Sequence, residues 1–392
     1  MGANFAEVSI EQLCLKVTSG GTPLRSRSDF YEGGTIDWYK TGELNDWYLG
    51  PAEERITAKA LEETSAKIFP TNTVLMAMYG DGKTITSLGM LRFPAATNQA
   101  CSAMLVDEEK CDTHYFFYAL KSRRHLLLKV AAGGAQRNLN GKLIKEFQIP
   151  APPLPIQRRI ASILSAYDEL IENSQRRIRI LESMARALYR EWFVQFRFPG
   201  HERVALVESS LGKIPKGWEV KTVEEVVKRI PVGKKYDQKT VSRDGTVPVF
   251  DQGKTGIIGY HDDEPGVEAS ETAPVIVFAN HTCYQRLVHI PFSAIQNVLP
   301  FVPIPSAHRN IYWLHWATNG LVTFNDYKGH WPEFAAKSLV VPSADVCERF
   351  GGFAAPVALQ ILRLERAIEN LRRTRDLLLP RLLTGQVQLA AN

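Results

Sequence analysis

The chain has 392 residues, 45% of them hydrophobic and 23% charged, which is the balance of a soluble globular protein too long for one ordinary core. No run of about 18 apolar residues and no signal-peptide pattern occur, and five dispersed cysteines form no CxxC pair, so we expect a cytoplasmic protein with reduced thiols and no membrane association. The net charge of +5 does not mark the larger segments as nucleic-acid binders, because residues 1–154 hold 17 basic and 17 acidic residues and residues 199–345 hold 15 and 16. The excess lies in residues 155–198 and 346–392, where every basic residue is arginine.

The first predicted domain, residues 1–154, opens with a pattern for a short strand, a helix of one or two turns and a glycine turn. β-rich runs such as residues 73–79 follow, with glycine turns between them. This alternation predicts an α+β domain dominated by a twisted or partly closed sheet. The proline-rich residues 149–155 then form a stiff lead into the next element.

Residues 155–198 and 346–392 each predict one long helix, because apolar side chains recur every three or four positions over four heptads. The predicted pairing positions are Leu164, Ile171, Ile178, Leu181 and Leu188 in the first helix and Ile361, Leu364, Ile368, Leu371 and Leu378 in the second. Two seams of equal length favour burial against each other as an antiparallel coiled coil, and two core helices of separate domains are the alternative. About 38 helical residues would span roughly 57 Å, more than one DNA turn of about 34–36 Å.

The second predicted domain, residues 199–345, repeats the plan of the first. Residues 7–14 resemble 219–227 with one inserted residue, and both runs lead to a glycine, Gly20 and Gly233. Residues 171–193 align with 361–383 without a gap. The middles differ, apart from similarly placed Asn98-Gln99 and Gln296-Asn297. The sequence therefore predicts one module used twice, with a shared frame and different targets.

Glycine-rich, turn-like stretches in both domains hold candidate DNA-contacting residues. Cations suit phosphates, and planar amide or guanidinium groups suit base edges. The candidates are Arg25, Arg27, Lys83, Thr84, Arg137 and Asn138 in the first domain and Lys234, Lys235, Tyr236, Lys254, Thr255, Lys328, His330 and Trp331 in the second. Taken singly, each is better explained as an exposed loop residue, but similar placement in both domains supports the set.

Motifs for chemistry are missing. The sequence has no Walker A loop, no GxGxxG, no GxSxG and no Asn-Pro-Pro-Tyr or Asp-Pro-Pro-Tyr signature. Glu108-Glu109-Lys110 matches half of a nuclease motif but lacks the preceding Pro-Asp. His281, Cys283 and His289 lack the second pair of ligands that a metal site needs. We therefore predict no catalytic residue, no metal site and no cofactor.

These features together resemble the specificity subunit of type I restriction–modification systems. Residues 149–168 look like that family's entry into its central helix, and residues 377–385 look like its usual ending. Residues 18–23 with 36–38 resemble the start of a target-recognition domain, and residues 217–220 resemble the start of a second one. The resemblance covers nearly the whole chain in order. Residues 231–236 depart from the common Thr-x-Gly-x-Thr-Pro opening, which leaves the contacts of the second domain less defined.

The resemblance implies a non-catalytic subunit that binds double-stranded DNA, with each domain reading one half of a split, asymmetric target. Its paired helices would set the spacer and dock two methyltransferase subunits, which carry the S-adenosylmethionine chemistry, and restriction subunits can join. Arginines off the seam would help docking or lie near DNA: Arg158, Arg176, Arg177, Arg190, Arg366, Arg372 and Arg373. A protein-binding scaffold and a divergent, stand-alone DNA-modifying enzyme are the alternatives.

Overall fold

The computed structural model describes residues 5–80, 84–132, 138–253, 256–305, 310–326 and 328–387. The chain divides into two compact units, the first formed by residues 1–173 and 368–392 and the second by residues 174–367. Each unit therefore contains one sheet-rich head and one part of each long helix.

The described part of the first head contains nine strands and five short α-helices in an alternating order. They are β1 Glu7–Ser9, α1 Ile10–Leu13, β2 Cys14–Ser19, β3 Ile36–Tyr39, β4 Arg55–Ile56, α2 Ala58–Glu63, β5 Val74–Ala77, β6 Leu88–Met90, β7 Ala96–Thr97, β8 Cys101–Val106, α3 Thr113–Ser122, α4 Arg124–Ala132, α5 Gly141–Glu146 and β9 Gln148–Pro150. The long helix α6 follows at Leu154–Tyr189 and continues as a π-helical turn, Arg190–Val194.

The second head has a similar order of elements, preceded by a small hairpin. The hairpin strands are β10 Leu206–Ser209 and β11 Gly212–Pro215. The head follows as β12 Glu219–Thr222, α7 Val223–Val226, β13 Val227–Arg229, β14 Val247–Phe250, β15 Ile257–His261, β16 Val275–Ala279, β17 Gln285–Val288, β18 Ser293–Ala294, β19 Val298–Pro303, α8 Ile311–Thr318, α9 Trp331–Ala336 and β20 Ser338–Val341. The second long helix is α10, Ala344–Leu383.

The two heads have the same sheet topology. A four-stranded sheet runs β2-β8-β5-β6 in the first head and β13-β19-β16-β17 in the second. A three-stranded sheet runs β4-β3-β7 in the first and β15-β14-β18 in the second, each with one antiparallel and one parallel pair. An antiparallel pair of the first and last strands, β1 with β9 and β12 with β20, closes each head. The predicted α+β class is confirmed, and the topology matches the repeat seen in the sequence.

Local sequence explains why matching elements form at matching places. The central strands β5 and β16 are buried at every residue, so both are continuous apolar runs. A capping box begins each short helix that follows the first strand, because the Ser9 amide donates to Gln12 Oε1 (3.2 Å) and the Thr222 amide donates to Glu225 Oε2 (2.7 Å). Asp112 and Asn310 cap α3 and α8 through their side-chain oxygens, which accept from the backbone amides of Tyr115 and Tyr312.

Within each unit the two long helices pack antiparallel. In the first unit, Ile160 and Leu164 of α6 share a core with Leu382 near the end of α10. In the second unit, Trp192 beyond the end of α6 lies 6.0 Å from Phe350 near the start of α10, measured between ring centroids. All ten predicted pairing residues are buried or half-buried, and the seven off-seam arginines are exposed. The predicted antiparallel coiled coil is confirmed.

Candidate nucleic-acid interface

Asn280 connects several loops at one edge of the second head. Its backbone amide donates to the carbonyl of Asn297 (2.9 Å), and its own carbonyl accepts from the amide of His330 (2.9 Å). Its side-chain Oδ1 accepts from the amide of Trp331 (2.8 Å). One asparagine after the central strand β16 therefore holds the turn before β19 and the loop before α9 together.

Gln252 adds a further loop to the same edge. Its Oε1 accepts from the amide of His281 (2.8 Å), and its carbonyl accepts from Thr282 Oγ1 (2.6 Å). The guanidinium of Arg286 donates to the carbonyl of Gly253 (2.5 Å) and lies over the rings of Phe250 and Tyr284. The loop that follows β14 is thus fixed against the turn that follows β16.

The Lys234–Tyr236 segment reaches this edge through β18. Lys235 forms an isolated parallel bridge with Ala294, and the amide of Tyr236 donates to the carbonyl of Ala294 (3.4 Å). Gln296 lines the same shallow cavity as Lys235 and Tyr236. The three segments predicted for the second head therefore meet in one loop cluster, although they are up to about ninety residues apart in sequence.

Three cations stand at the surface of this cluster. Lys235, Lys328 and Arg229 are exposed, and Arg229 lies 5.1 Å from the ring centroid of Trp331. Arg229 is a residue that the sequence analysis missed. In the described part of the chain, no carboxylate forms an ion pair with these three side chains. Each is therefore available to a phosphate oxygen at little cost in broken contacts.

Four other predicted residues of the second head take supporting positions. Lys234 pairs with Asp263 (2.8 Å), and the buried Tyr236 stacks on His261 and hydrogen-bonds Asp263. His330 is fully buried, and Trp331 packs among Phe278, Phe301 and Phe334. Tyr236 and His330 are buried and Trp331 is half-buried, so these side chains hold the loops from inside, and their contact with DNA stays a prediction.

The first head brings its predicted segments together in the same way. Thr22 Oγ1 donates to Gln99 Oε1, and the Met78 amide donates to the carbonyl of Ala100 (2.9 Å). The amide of Leu139 then donates to the carbonyl of Met78 (3.0 Å), which places Asn138 beside the end of β5. Gln99 thus occupies in this head the edge that Gln296 and Asn297 occupy in the other.

Glycine is required where the first of these loops turns. A Cβ on Gly20 would lie 1.9 Å from the carbonyl oxygen of Thr97. The amide of the next residue, Gly21, donates to that same oxygen (2.9 Å), and Trp38 Nε1 donates to the carbonyl of Gly21 (2.9 Å). The close approach of two backbones therefore sets the position of the loop that carries Thr22 and Arg25.

Arg25 and Arg27 are not free cations. Arg25 forms an ion pair with Glu54 and lies about equally far from the rings of Tyr31 (4.8 Å) and Trp38 (4.9 Å). Hydrogen bonds from Arg25 and then from Lys40 lower the pKa of Glu54 to about 2. Arg27 pairs with Asp29 (2.7 Å) and Glu63 (3.1 Å). Both arginines must exchange a carboxylate for a phosphate or a base before they contact DNA.

Only some of the remaining predicted residues of the two heads are among the described residues. Thr84 and Asn138 are half-buried. Lys83, Arg137, Lys254 and Thr255 lie outside the described residues. The matched pairs Asn98-Gln99 and Gln296-Asn297 were the one sequence signal for this edge, and Asn297 has the left-handed φ of +68° that asparagine tolerates.

Among the described residues, none of the helices has an apolar stretch of the length that a bilayer requires. The same residues also contain no group of three or more His, Cys, Asp or Glu residues arranged to hold a metal ion.

Comparison with known proteins gives consistent matches. Residues 3–183 match the family model described as "Type I restriction modification DNA specificity domain". The chain is 24% identical to the type I restriction enzyme MjaIX specificity subunit of Methanocaldococcus jannaschii, covering 95% of this chain and 91% of that protein. It is 28% identical to the EcoR124I/EcoR124II specificity subunit of Escherichia coli, over 52% of each chain. The fold matches a crystal structure of the S subunit from M. genitalium with a TM-score of 0.62 at 16% identity, covering 97% and 96% of the two chains.

Proposed function

The chain belongs to the family of type I restriction–modification specificity subunits, and on this premise we propose that its two heads each read one half of a bipartite, asymmetric DNA target. The observation that carries the proposal is that the two heads share one sheet topology but have different side chains at the edge where their loops meet. Among the described residues, Gln99 and Gln296 take matching places at the two edges. The first edge adds Thr22, whereas the second adds the exposed Lys235, Lys328 and Arg229. Equal frames with unequal edges suit two different half-sites.

The layout that we propose assigns residues 1–154 and 199–345 to the two target-recognition domains. Residues 155–198 and 346–392 would form the helices that set the spacer between half-sites. Support comes from the seven exposed arginines off the seam, which leave a basic helical surface for a partner subunit or for DNA. We propose two methyltransferase subunits as the partners on these helices, and restriction subunits as further members of the complex.

Catalysis in this proposal belongs to the partners, which would also bind S-adenosylmethionine. The relatives named above are specificity subunits, which supports a chain without catalytic residues. A stand-alone enzyme is tested with the purified chain, S-adenosylmethionine, magnesium and DNA. Methylation or cleavage by the chain alone would establish the enzyme instead.

The decisive experiment is sequencing of methylated positions in cells that express this chain with its methyltransferase partner. We expect a split motif of two unlike half-sites at a fixed separation. Methylation without sequence preference would reject target recognition and would favour the protein-binding scaffold.

The spacer function has a separate test. One heptad added to α6, with a matching heptad in α10, should lengthen the separation between the two half-sites while both half-sites stay the same. Insertion of the same seven residues after Gly385, beyond the helix, is the control and should leave the motif unchanged. An unchanged separation between the half-sites in the lengthened protein would contradict the proposal that the helices set the spacer.

A further inference from the structure

The contact between head and helices differs between the two units at equivalent positions. Residues 171–193 align with 361–383 at an offset of 190, which pairs Arg375 with Ala185. The same offset extended upstream along the two helices pairs Leu164 and Asp168 with Ala354 and Ala358. The capped helices α3 and α8 align from Asp112 and Asn310, so Tyr118 corresponds to Trp316. Three large side chains of the first unit are therefore alanines in the second.

In the first unit this place is filled by a polar network. Tyr118 donates its hydroxyl proton to Asp168 Oδ2 (2.6 Å), and Arg375 pairs with Asp168 Oδ1. The side chains of Asp168 and Arg375 are only 5% and 12% exposed. The head and both long helices thus meet through buried polar side chains that form a hydrogen bond and an ion pair with one another.

In the second unit the same place is a cavity of about 700 Å³. Ala185, Ala354 and Ala358 form its helix side, and Tyr312, His315 and Trp316 contribute rings from α8 and its last turns. Its volume lies in the range of about 300–1,000 Å³ that small-molecule sites occupy. Side chains that fill the first unit are missing here, so the space is open to a separate molecule.

The charged groups around the cavity balance. Glu182 and Glu365 come from the two long helices, and Arg186 and Arg286 lie on the same walls. Burial, and then the neighbouring Glu182, raises the pKa of Glu365, while burial lowers the pKa of Arg286. Two carboxyl groups and two guanidinium groups offer acceptors and donors without a net charge, which suits a neutral ligand better than an ion.

The aromatic and histidine side chains define the rest of the chemistry. Arg186 lies 5.8 Å from the ring centroid of Trp316, and Tyr312 and His289 are stacked at 6.3 Å. His289 is 6% exposed, and its Nε2 has no hydrogen-bond partner among the described residues. Flat rings for stacking and a buried, unpaired ring nitrogen suit a planar heterocycle that carries its own donors and acceptors.

We propose that this cavity, between α8, β17 and the long helices of the second unit, binds a neutral heteroaromatic molecule of the nucleobase or nucleoside class. The ring would stack on Trp316 or Tyr312, its exocyclic amino group would donate to Glu365 or Glu182, and its carbonyl would accept from Arg286. The inference does not depend on which DNA sequence the heads read.

Titration calorimetry of the full chain with adenosine, guanosine, cytidine and thymidine tests the site, with 1,5-diaminopentane as a cationic control. We expect at least one nucleoside to bind with a Kd of about 1 mM or tighter and the diamine not to bind. Ala358→Leu fills the cavity, and Glu365→Ala removes an acceptor without filling it. Each should weaken nucleoside binding at least tenfold, while Arg363→Ala, at an exposed position of the same helix, should leave it unchanged.

A free nucleoside and an unpaired base of a polynucleotide present the same ring. Displacement of the bound nucleoside by a single-stranded oligonucleotide would assign the site to a polymer, and failure to displace would assign it to the free molecule. Absence of nucleoside binding, binding of the diamine instead, or full binding to Ala358→Leu with an unchanged circular dichroism spectrum would overturn the proposal.

Discussion

The two units of this chain solve one packing problem in two ways. In the first, a head is joined to the helices by Tyr118, Asp168 and Arg375, which form a buried charged network. In the second, Trp316, Ala358 and Ala185 occupy the equivalent positions and leave a cavity. The two units share the order of strands in their sheets and the apolar seam of the long helices. The shared fold therefore tolerates different side chains at the contact between head and helices.

The two contacts should also contribute differently to the stability of their units. A buried ion pair contributes little net stability over a well-packed apolar pair, but each partner depends strongly on the other. A cavity costs packing contacts and leaves room for a ligand. We therefore expect the first unit to be sensitive to single changes at this contact and the second to be tolerant.

The largest expected effect comes from Arg375→Ala, which leaves the carboxylate of Asp168 buried without its partner. We expect a loss of about 3–5 kcal/mol in the free energy of unfolding, measured by urea denaturation. Joint replacement by leucine at 168 and 375, with Tyr118→Phe to remove the hydroxyl that donates to Asp168, should restore most of that loss, because apolar side chains need no charge partner. An effect below about 0.5 kcal/mol, no larger than that of the exposed control Arg372→Ala, would show that the network does not hold the first unit.

A smaller effect compares the matched glycines of the two heads. Gly20→Ala places a Cβ against the Thr97 carbonyl oxygen, and we expect it to cost about 1–3 kcal/mol. At Gly233 the nearest atom to a new Cβ is 3.5 Å away, but φ is +63°, so Gly233→Ala should cost roughly 1 kcal/mol. Thermal unfolding of the two variants measures the difference. The reverse order would mean that the Gly20 loop relaxes freely.

The last expected effect is a pH dependence that arises in the second unit. His315 stands where the first unit has Phe117, and burial, then the nearby His289, lowers the pKa of its imidazole to about 4. The folded protein thus binds this proton less well than the unfolded chain. The contribution to stability is complete above about pH 6.5 and is lost as pH falls towards 4, by at most about 1.4 kcal/mol per pH unit.

His315→Phe removes this titration and keeps the bond from Gln285 Nε2 to the backbone carbonyl of residue 315 (2.8 Å). The urea midpoint of the variant should therefore fall less between pH 6.5 and 4 than that of the wild type. Parallel curves for the two proteins would show that the imidazole is not held neutral.

The long helices and the repeated head could be predicted because their sequence patterns are local or occur twice. The heptad positions Leu164 and Ile368 and the matched openings at residues 7–14 and 219–227 are local or repeated, so they indicated the helices and the twice-used head. The heptad pattern also outweighed Pro356, because α10 runs through it as predicted, although proline cannot donate the bond to the carbonyl of Gly352.

The site was harder, because its residues act through partners far away in sequence. Arg25 looked like a free cation, but Glu54 neutralises it from 29 residues further along. His330 looked exposed in a glycine-rich loop, but its backbone amide donates to the carbonyl of Asn280, which lies 50 residues earlier, and this bond holds the loop inward. Asn280 itself was missed, since an asparagine after a strand is an ordinary turn residue until its three bonds are seen.

The central claim is that each head reads its own half of one DNA target. The most direct test replaces residues 199–345 by the corresponding segment of a relative with a different target and maps methylated sites in cells that contain the methyltransferase partner. We expect one half-site to change while the other half-site and the separation between them stay the same. A change in both half-sites, or an unchanged motif, would contradict it.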